Sequence, residues 1–345
     1  MKQLSTLAAA GLLLVVSGCT HGDGPIRKLN AVTAGSVAYR DRLPQNVKET
    51  LARFDELRAV DPCGLVDDAD VSALGKIDYF GVDGSGPGTC DISFVHPRDK
   101  KGVYSITLGK RVIDEKATQG AVAHSDSCDY RAETGYVYPG GVKELVTVSV
   151  QQGPDVAKAE ASALCPVAEK LASAMHAKLK SPPLYADSKY LPADKLVEVD
   201  PCGPLEVLGD SPFDVVNMST PFECTIRDRG DSNPNNQRYI KLDYTQLRDV
   251  PQPKLIGPDV NATYGGVLSY IDGVQVRTRT GTDKSPECAF FIFAGNDAPI
   301  KGSHVGTDLR QYVSTIFVRT PPHGRDCAEG QKVTEQLIRQ YRNSR

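Results

Sequence analysis

Eight cysteines fall into two sets of four, and the two sets are related to each other. Cys63, Cys90, Cys128 and Cys165 make the first set; Cys202, Cys224, Cys288 and Cys327 make the second. Asp61-Pro62-Cys63-Gly64 returns as Asp200-Pro201-Cys202-Gly203. Leu57 and Val60 precede the first motif at the spacing with which Leu196 and Val199 precede the second. A Leu-Gly pair follows in each copy (Leu74-Gly75, Leu208-Gly209), and from that Gly to the next Cys is 15 positions both times. Ile92 and Ile226 lie two residues after the second Cys, Tyr130 and Phe290 two after the third. After the fourth, apolar residues recur at helical spacing: Leu171, Met175, Leu179, and Val333, Leu337, Tyr341. So many matches in order indicate a tandem duplication of one domain, of a size that holds a single core.

Outside the cytoplasm, an even set of cysteines reads as disulfides. Structural zinc wants closely spaced ligand pairs; no two of these Cys lie within four residues of each other, and no two His stand at ligand spacing. Four cysteines allow three pairings, which spacing alone does not separate. First-to-second and third-to-fourth is favoured on local grounds. The first Cys opens a helix expected on the strand carrying the second; the fourth opens the last helix, expected on the strand carrying the third. The expected bridges are Cys63–Cys90, Cys128–Cys165, Cys202–Cys224 and Cys288–Cys327. Each would add roughly 3–4 kcal/mol on the chain-entropy account.

The patterning within each copy is mixed. Asn46–Ala59 carries Val47, Leu51, Phe54 and Arg58 at helical spacing. Asp61-Pro62 suits a helix start, and a short helix is expected from there to Leu74, with Gly75 ending it. Strands are expected at Cys90–Val95, Val103–Leu108, Tyr136–Tyr138 and Leu145–Val150, then at Cys224–Arg227, Tyr239–Tyr244, Val267–Thr280, Ala289–Phe293 and Tyr312–Val318. Asp272-Gly273 reads as a two-residue hairpin turn. Closing helices are expected over Val156–Leu179, with Pro166 a kink or the true start, and over Ala328–Arg342. The fold class is therefore α+β: two similar domains, each an antiparallel sheet packed with N- and C-terminal helices and stapled by two disulfides. The expected boundaries are 46–180 for the first repeat, 181–199 for a Pro-containing linker and 200–345 for the second repeat.

The ninth cysteine, Cys19, stands apart. One Lys and a short apolar run, Leu7 to Val16, precede Ser17-Gly18-Cys19. That is the layout of an export signal, too short to span a bilayer comfortably. With small residues directly before the Cys, it resembles a bacterial lipobox: signal peptide 1–18, then Cys19 as the lipid-modified new N-terminus. Two or three acyl chains, at roughly 0.8 kcal/mol per buried methylene, anchor firmly. Residues 19–45, polar and containing Gly and Pro, read as a tether. Hydrophobic residues at 40% and charged residues at 24% describe a globular chain and exclude disorder, collagen and multi-span membrane classes. A net charge of −3 gives no electrostatic reason to expect nucleic acid.

The Asp-Pro-Cys helix start, the four-cysteine layout, the closing helix and the lipobox together resemble actinobacterial cell-envelope lipoproteins of a domain-of-unknown-function family (number 3558), here as a tandem repeat over about 57–342. The resemblance implies an envelope location and lends no catalytic residues. This chain departs from single-domain members in carrying two copies. The second copy is also irregular, with 22 rather than 27 positions between its first two Cys and 64 rather than 38 between its second and third. The layout is similar, in architecture only, to disulfide-bonded extracellular sensor domains of actinobacterial receptor kinases.

The sequence carries no established catalytic set. Gly-x-Ser-x-Gly is absent, and His124-Ser125-Asp126 are adjacent, which does not make a triad. His21, His96, His124, His176, His304 and His323 are scattered. Asp231-Ser232-Asn233-Pro234-Asn235-Asn236 echoes a calcium loop but has Asn236 and Leu242 where Gly and a bidentate Glu belong. Gly81–Gly88 is Gly-rich but lacks the Gly-Lys-Ser/Thr that holds phosphate; it reads as a flexible loop. That loop and the Pro251–Gly266 insertion are the expected mobile segments beside a cleft. Asn217 and Asn261 sit in glycosylation sequons without meaning for a bacterial lipoprotein. Lys332, Arg339, Arg342 and Arg345 read as a solvated face of the last helix. No catalytic residue, metal site or cofactor is expected. The expected function is a non-enzymatic lipoprotein at the outer face of the cell membrane, binding an envelope lipid, a glycan or a membrane protein in a sheet–helix cleft or between the copies. The alternatives are a sensory or regulatory lipoprotein acting on a membrane receptor or transporter, and a hydrolase with a dispersed site.

Overall fold

The computed structural model describes residues 38–95, 103–112, 118–153, 161–209, 212–216, 218–251, 266–282, 285–302, 304–305, 310–321 and 327–344. The signal, Cys19, the tether as far as residue 37, Asn217, Asn261, residues 252–265 of the insertion and Arg345 lie outside them.

Copy one contributes β1 (Ile77–Gly81), β2 (Cys90–Phe94), β3 (Val103–Val112), β4 (Gly120–Ala123), β5 (Ser127–Val137) and β6 (Lys143–Gln152). Copy two contributes β7 (Phe213–Val216), β8 (Glu223–Asp228), β9 (Arg238–Gln246), β10 (Val267–Ile271), β11 (Val274–Thr282), β12 (Ser285–Phe293), β13 (Ile300–Lys301), β14 (His304–Val305) and β15 (Gln311–Thr320). The first sheet runs β1-β2-β3-β6-β5-β4 and the second β7-β8-β9-β15-β12-β11, so the two copies share one strand order. Copy two then adds β10 beyond β11 and β13 beside β15, and it sends β14 across to pair with β1 at the edge of the first sheet.

The register agrees at the cysteines, although β3 is bulged between Leu108 and Lys110 where β9 runs unbroken. Cys90 faces Leu108 across β2–β3 as Cys224 faces Ile240 across β8–β9. Cys128 faces Val150 across β5–β6 as Cys288 faces Thr320 across β12–β15. The disulfides join Cys63 to Cys90, Cys128 to Cys165, Cys202 to Cys224 and Cys288 to Cys327. Each bridge therefore ties a turn or helix to one strand of its own copy's sheet.

Among the described residues five helices accompany the sheets: α1 (Ala38–Asp41), α2 (Gln45–Arg58), α3 (Asp68–Ser72), α4 (Ala161–Leu179) and α5 (Ala328–Asn343). The α4 helix lies on β4–β6 and α5 on β12 and β15, each by an apolar stripe: Ala168, Leu171, Ala172 and Met175, and Val333, Leu337 and Ile338. Pro166 lies inside α4, and Cys165 is well within that helix rather than at its opening. Cys327 does stand immediately before α5. The single helix expected after Pro62 is broken into a short 3₁₀ turn, Cys63–Leu65, and α3, because Val66 and Asp67 adopt extended backbone.

Two segments read as connectors are part of the packing. At the end of the tether, Tyr39 is 1% exposed. Its hydroxyl donates to Asp200 at 2.6 Å, and Arg40 bridges Asp55 and Asp200. Between the repeats, Tyr185, Tyr190, Leu191, Leu196 and Val199 are buried, and Leu184 bridges Val60. Apolar residues in a short connector fold down when a core lies within reach.

Candidate functional site

A cavity of about 370 Å³ lies between the copies, within the usual size of small-ligand pockets. Copy one supplies Leu57, Val60, Pro62 and Leu65 from the end of α2 and the Asp-Pro-Cys turn, Gly84–Thr89 in part from the β1–β2 loop, and Thr107 and Gly109 from β3. Copy two supplies Thr220, Pro221 and Phe222 from the turn before β8, Glu223 from its first position, and Lys241 and Leu242 from β9.

Equivalent positions of the two copies thus meet here. The residue before the second Cys is Thr89 in one and Glu223 in the other; the residue before that is Gly88 or Phe222. One place past the residue opposite that Cys stand Gly109 and Lys241. Duplication has diverged so that small residues on one side accept bulky ones from the other. A Cβ on Gly88 would come 2.8 Å from the Phe222 ring. Gly109 has φ +90°, and a Cβ there would meet the Gly88 carbonyl oxygen at 2.7 Å. These glycines are needed for close approach and, at Gly109, for a left-handed backbone.

The Gly-rich loop does reach the cleft, but it is held in place. Asp83 Oδ1 accepts from the Ser85 backbone N–H at 2.7 Å and from the Thr89 hydroxyl at 2.5 Å. Behind it runs a buried polar chain. Tyr185 donates to the Pro87 carbonyl at 3.4 Å and lies 3.4 Å from the Tyr244 hydroxyl, which donates to Asp194 Oδ2 at 2.6 Å. Ser314 and the Leu196 N–H donate to the other carboxylate oxygen at 2.9 and 3.0 Å. Burial pushes the Asp194 carboxyl up, and these three donors only partly offset it. Burial likewise raises both tyrosines.

The cavity is lined by the apolar side chains of Leu57, Val60, Leu65, Phe222 and Leu242 and by the hydroxyl-bearing Ser85, Thr89, Thr107 and Thr220. Its two charged side chains are already engaged: Lys241 pairs with Asp243 at 2.6 Å, and Glu223 hydrogen-bonds Tyr239. Such a wall suits a ligand with both apolar surface and a few polar groups; among the described residues it contains no His and no thiol.

The residues singled out for chemistry lie elsewhere. His124 is half exposed in the β4–β5 turn, with Nε2 at 3.4 Å from Asp129. His176 on α4 contacts the Glu133 carbonyl. Asp231 accepts from the Asn233 N–H and from Asn236 Nδ2, both at 2.8 Å, so its carboxylate closes a turn. Among the described residues there is no group of His, Cys, Asp or Glu placed to hold a metal ion, and no helix is long and apolar enough to cross a membrane. The sequence marks Pro62 only as part of a helix start, and no motif in it marks the lining residues Leu65 and Phe222. The available signal was the pairing of Gly88 with Phe222 once the repeats are aligned on their cysteines. No family model matches the chain, and no curated protein or solved structure matches it.

Proposed function

We propose that this chain is a non-enzymatic cell-envelope lipoprotein, anchored through Cys19 at the outer face of the membrane, which binds a ligand or partner in the groove between its two copies. The observation that carries the reading is the cavity of about 370 Å³ walled by both copies. Domain interfaces are favoured ligand sites. The four disulfides fit an oxidising compartment. The Ser17-Gly18-Cys19 sequence and the resemblance to envelope lipoproteins support the proposed location.

Thermal shifts against fractionated envelope lipids, glycans and solubilised membrane proteins test the binding. A stabilising fraction is expected, and Thr220→Trp, which fills the cavity, should abolish its effect while leaving the protein folded. If no fraction shifts the midpoint, the binding reading fails. The anchor has its own test. Intact mass of membrane-extracted protein should give a chain starting at Cys19, larger by a diacylglyceryl group, with no free thiol.

A further inference from the structure

We infer that β10 is a dimerisation edge, on which a second molecule of this chain pairs its own β10 antiparallel about a two-fold axis at Ser269. β10 is Val267-Leu268-Ser269-Tyr270-Ile271, and among the described residues no strand lies beyond it in the second sheet. Open edges are usually guarded by charge, Pro or short length. The other sheet ends obey this. β1 is covered by the two-residue β14, β4 and β7 have four residues each, and β7 carries Asp214 beside Arg227 and Arg229. β10 has five residues with neither charge nor Pro. It also bears the two most exposed large apolar side chains among the described residues, Val267 at 71% and Tyr270 at 57%. The first sheet ends at β4, the counterpart of β11, so the fold does not require β10.

The turn fixes which backbone groups are free. Asp272 and Gly273 both have positive φ, 49° and 76°, so a two-residue type I′ turn joins β10 to β11. In such a hairpin the pair flanking the turn, Ile271 and Val274, exchanges both hydrogen bonds. The exchange then recurs at every second pair, Ser269 with Val276 and Val267 with Thr278. The N–H and C=O groups of Leu268 and Tyr270 therefore point away from β11, toward the open edge.

A second molecule fits these groups without a mismatch. Pairing about Ser269 sets Leu268 of each molecule opposite Tyr270 of the other, as hydrogen-bonded pairs that satisfy the outward groups of both strands. Val267 meets Ile271, so each exposed apolar side chain gains an apolar neighbour. Ser269, small and uncharged, meets itself at a non-hydrogen-bonded position. Just past the strand, Asp272 of one molecule comes opposite Gly266 of the other. Beside that glycine stands Arg279, one position beyond the Val267–Thr278 pair. Arg279 also holds Glu287 at 2.7 Å in its own molecule, and Gly266 places no side chain between it and the incoming Asp272. Opposite charges thus approach at both ends of the pairing and like charges face each other nowhere along it. This self-matching favours a second copy of the chain over a foreign strand, since a two-fold interface must be complementary to itself. A five-residue pairing is smaller than a standard interface, so the association should be reversible and concentration-dependent.

Sedimentation velocity of the full chain carrying Cys19→Ser, which removes the lipid site and the one thiol outside the four disulfides, tests this. A dimer that grows with concentration is expected. Ser269→Lys and Ser269→Asp each set like charges face to face on the axis and should each weaken dimerisation at least tenfold, while an equimolar mixture of the two variants should restore it. Ser269→Cys should bridge two molecules on mild oxidation, because Cα atoms of a non-hydrogen-bonded pair lie about 4.5 Å apart, within disulfide reach. Val137→Cys, on an exposed residue of the first sheet, should not. A chain that stays monomeric at every concentration, a dimer indifferent to Ser269→Lys, a mixture no more associated than its components, or no bridge through Ser269→Cys overturns the proposal.

Discussion

Asp61 and Asp200 occupy the same place in the two copies and live in opposite electrostatic environments. Each accepts a hydrogen bond from the backbone N–H of the following Cys, at 2.8 and 3.0 Å. Burial raises Asp61, and the Ser188 hydroxyl, the Gly64 and Cys63 N–H groups and Lys178 offset only part of that. Burial acts on Asp200 too, but the Arg58 and Arg40 guanidiniums and the Tyr39 hydroxyl outweigh it and hold Asp200 below the usual carboxylate range. Asp200→Asn removes one of the two carboxylates that Arg40 and Arg58 face, Asp55 remaining. It should cost about 1.5–3 kcal/mol at neutral pH, as losing a hydrogen bond to a charged group does; Asp61→Asn should cost about 1 kcal/mol. The pH dependences should also diverge. Asp200 stabilises fully above the ordinary Asp pKa of about 3.9, and this is lost as pH falls through its lowered value, so the gap between wild type and Asp200→Asn closes on acidification. The stabilisation from Asp61 is full below the ordinary value and lost as pH rises through its raised one. That gap widens on acidification. Urea titrations of the three proteins at several pH values read both signs; parallel curves would refute the asymmetry.

Among elements, the β1–β2 loop and the turn before β8 show how one copy was shaped to receive the other. In Gly88→Ala the new methyl meets the Phe222 ring, which is itself buried, so about 1–3 kcal/mol should be lost. In a Phe222→Ala background the same change should be nearly silent, a coupling that a double-mutant cycle on denaturation midpoints measures directly. Gly109→Ala should cost more, because its φ of +90° and the Gly88 carbonyl both oppose a Cβ. Elements with clear apolar periodicity, such as α2, α5 and β9, were legible in sequence to within about two residues, the usual boundary scatter. β5 was read only at its end: its outward residues Asp129, Arg131 and Glu133 face solvent and break up the apolar pattern. β1, β4 and β7 are short edge or near-edge strands with too few residues for alternation to register. The cavity was legible only as a general expectation that ligands bind between domains. Its walls depend on which faces the two copies turn to each other, and no local pattern encodes that.

At the scale of the whole molecule, two repeats behave as independent domains only if few contacts cross between them. Here the crossings are of several kinds. β14 of the second copy completes the first sheet beside β1. Arg310 donates to Asp91 Oδ2 at 2.8 Å and to Ser93 Oγ at 2.9 Å, and its guanidinium lies 4.0 Å from the Tyr79 ring centroid. The Tyr39–Asp200 and Tyr185–Tyr244–Asp194 contacts tie the N-terminal segment and the connector to the second copy, and residues of both copies belong to one apolar core. Opening the interface would therefore expose buried charge and apolar surface together, so neither copy should persist once the other unfolds. Unfolding should be a single transition, with calorimetric and van't Hoff enthalpies equal and the same midpoint from hydrogen exchange in β5 as in β12. Arg310→Ala takes this cation from the buried Asp91 and should lower the common stability by about 3–5 kcal/mol without splitting the transition. Disulfides inside each copy cannot produce this result, since none joins the two. Two resolved transitions, or a loss in Arg310→Ala confined to the first sheet, would mean that the copies are merely adjacent. In that event a cavity built from both walls would have no fixed shape with which to select a ligand.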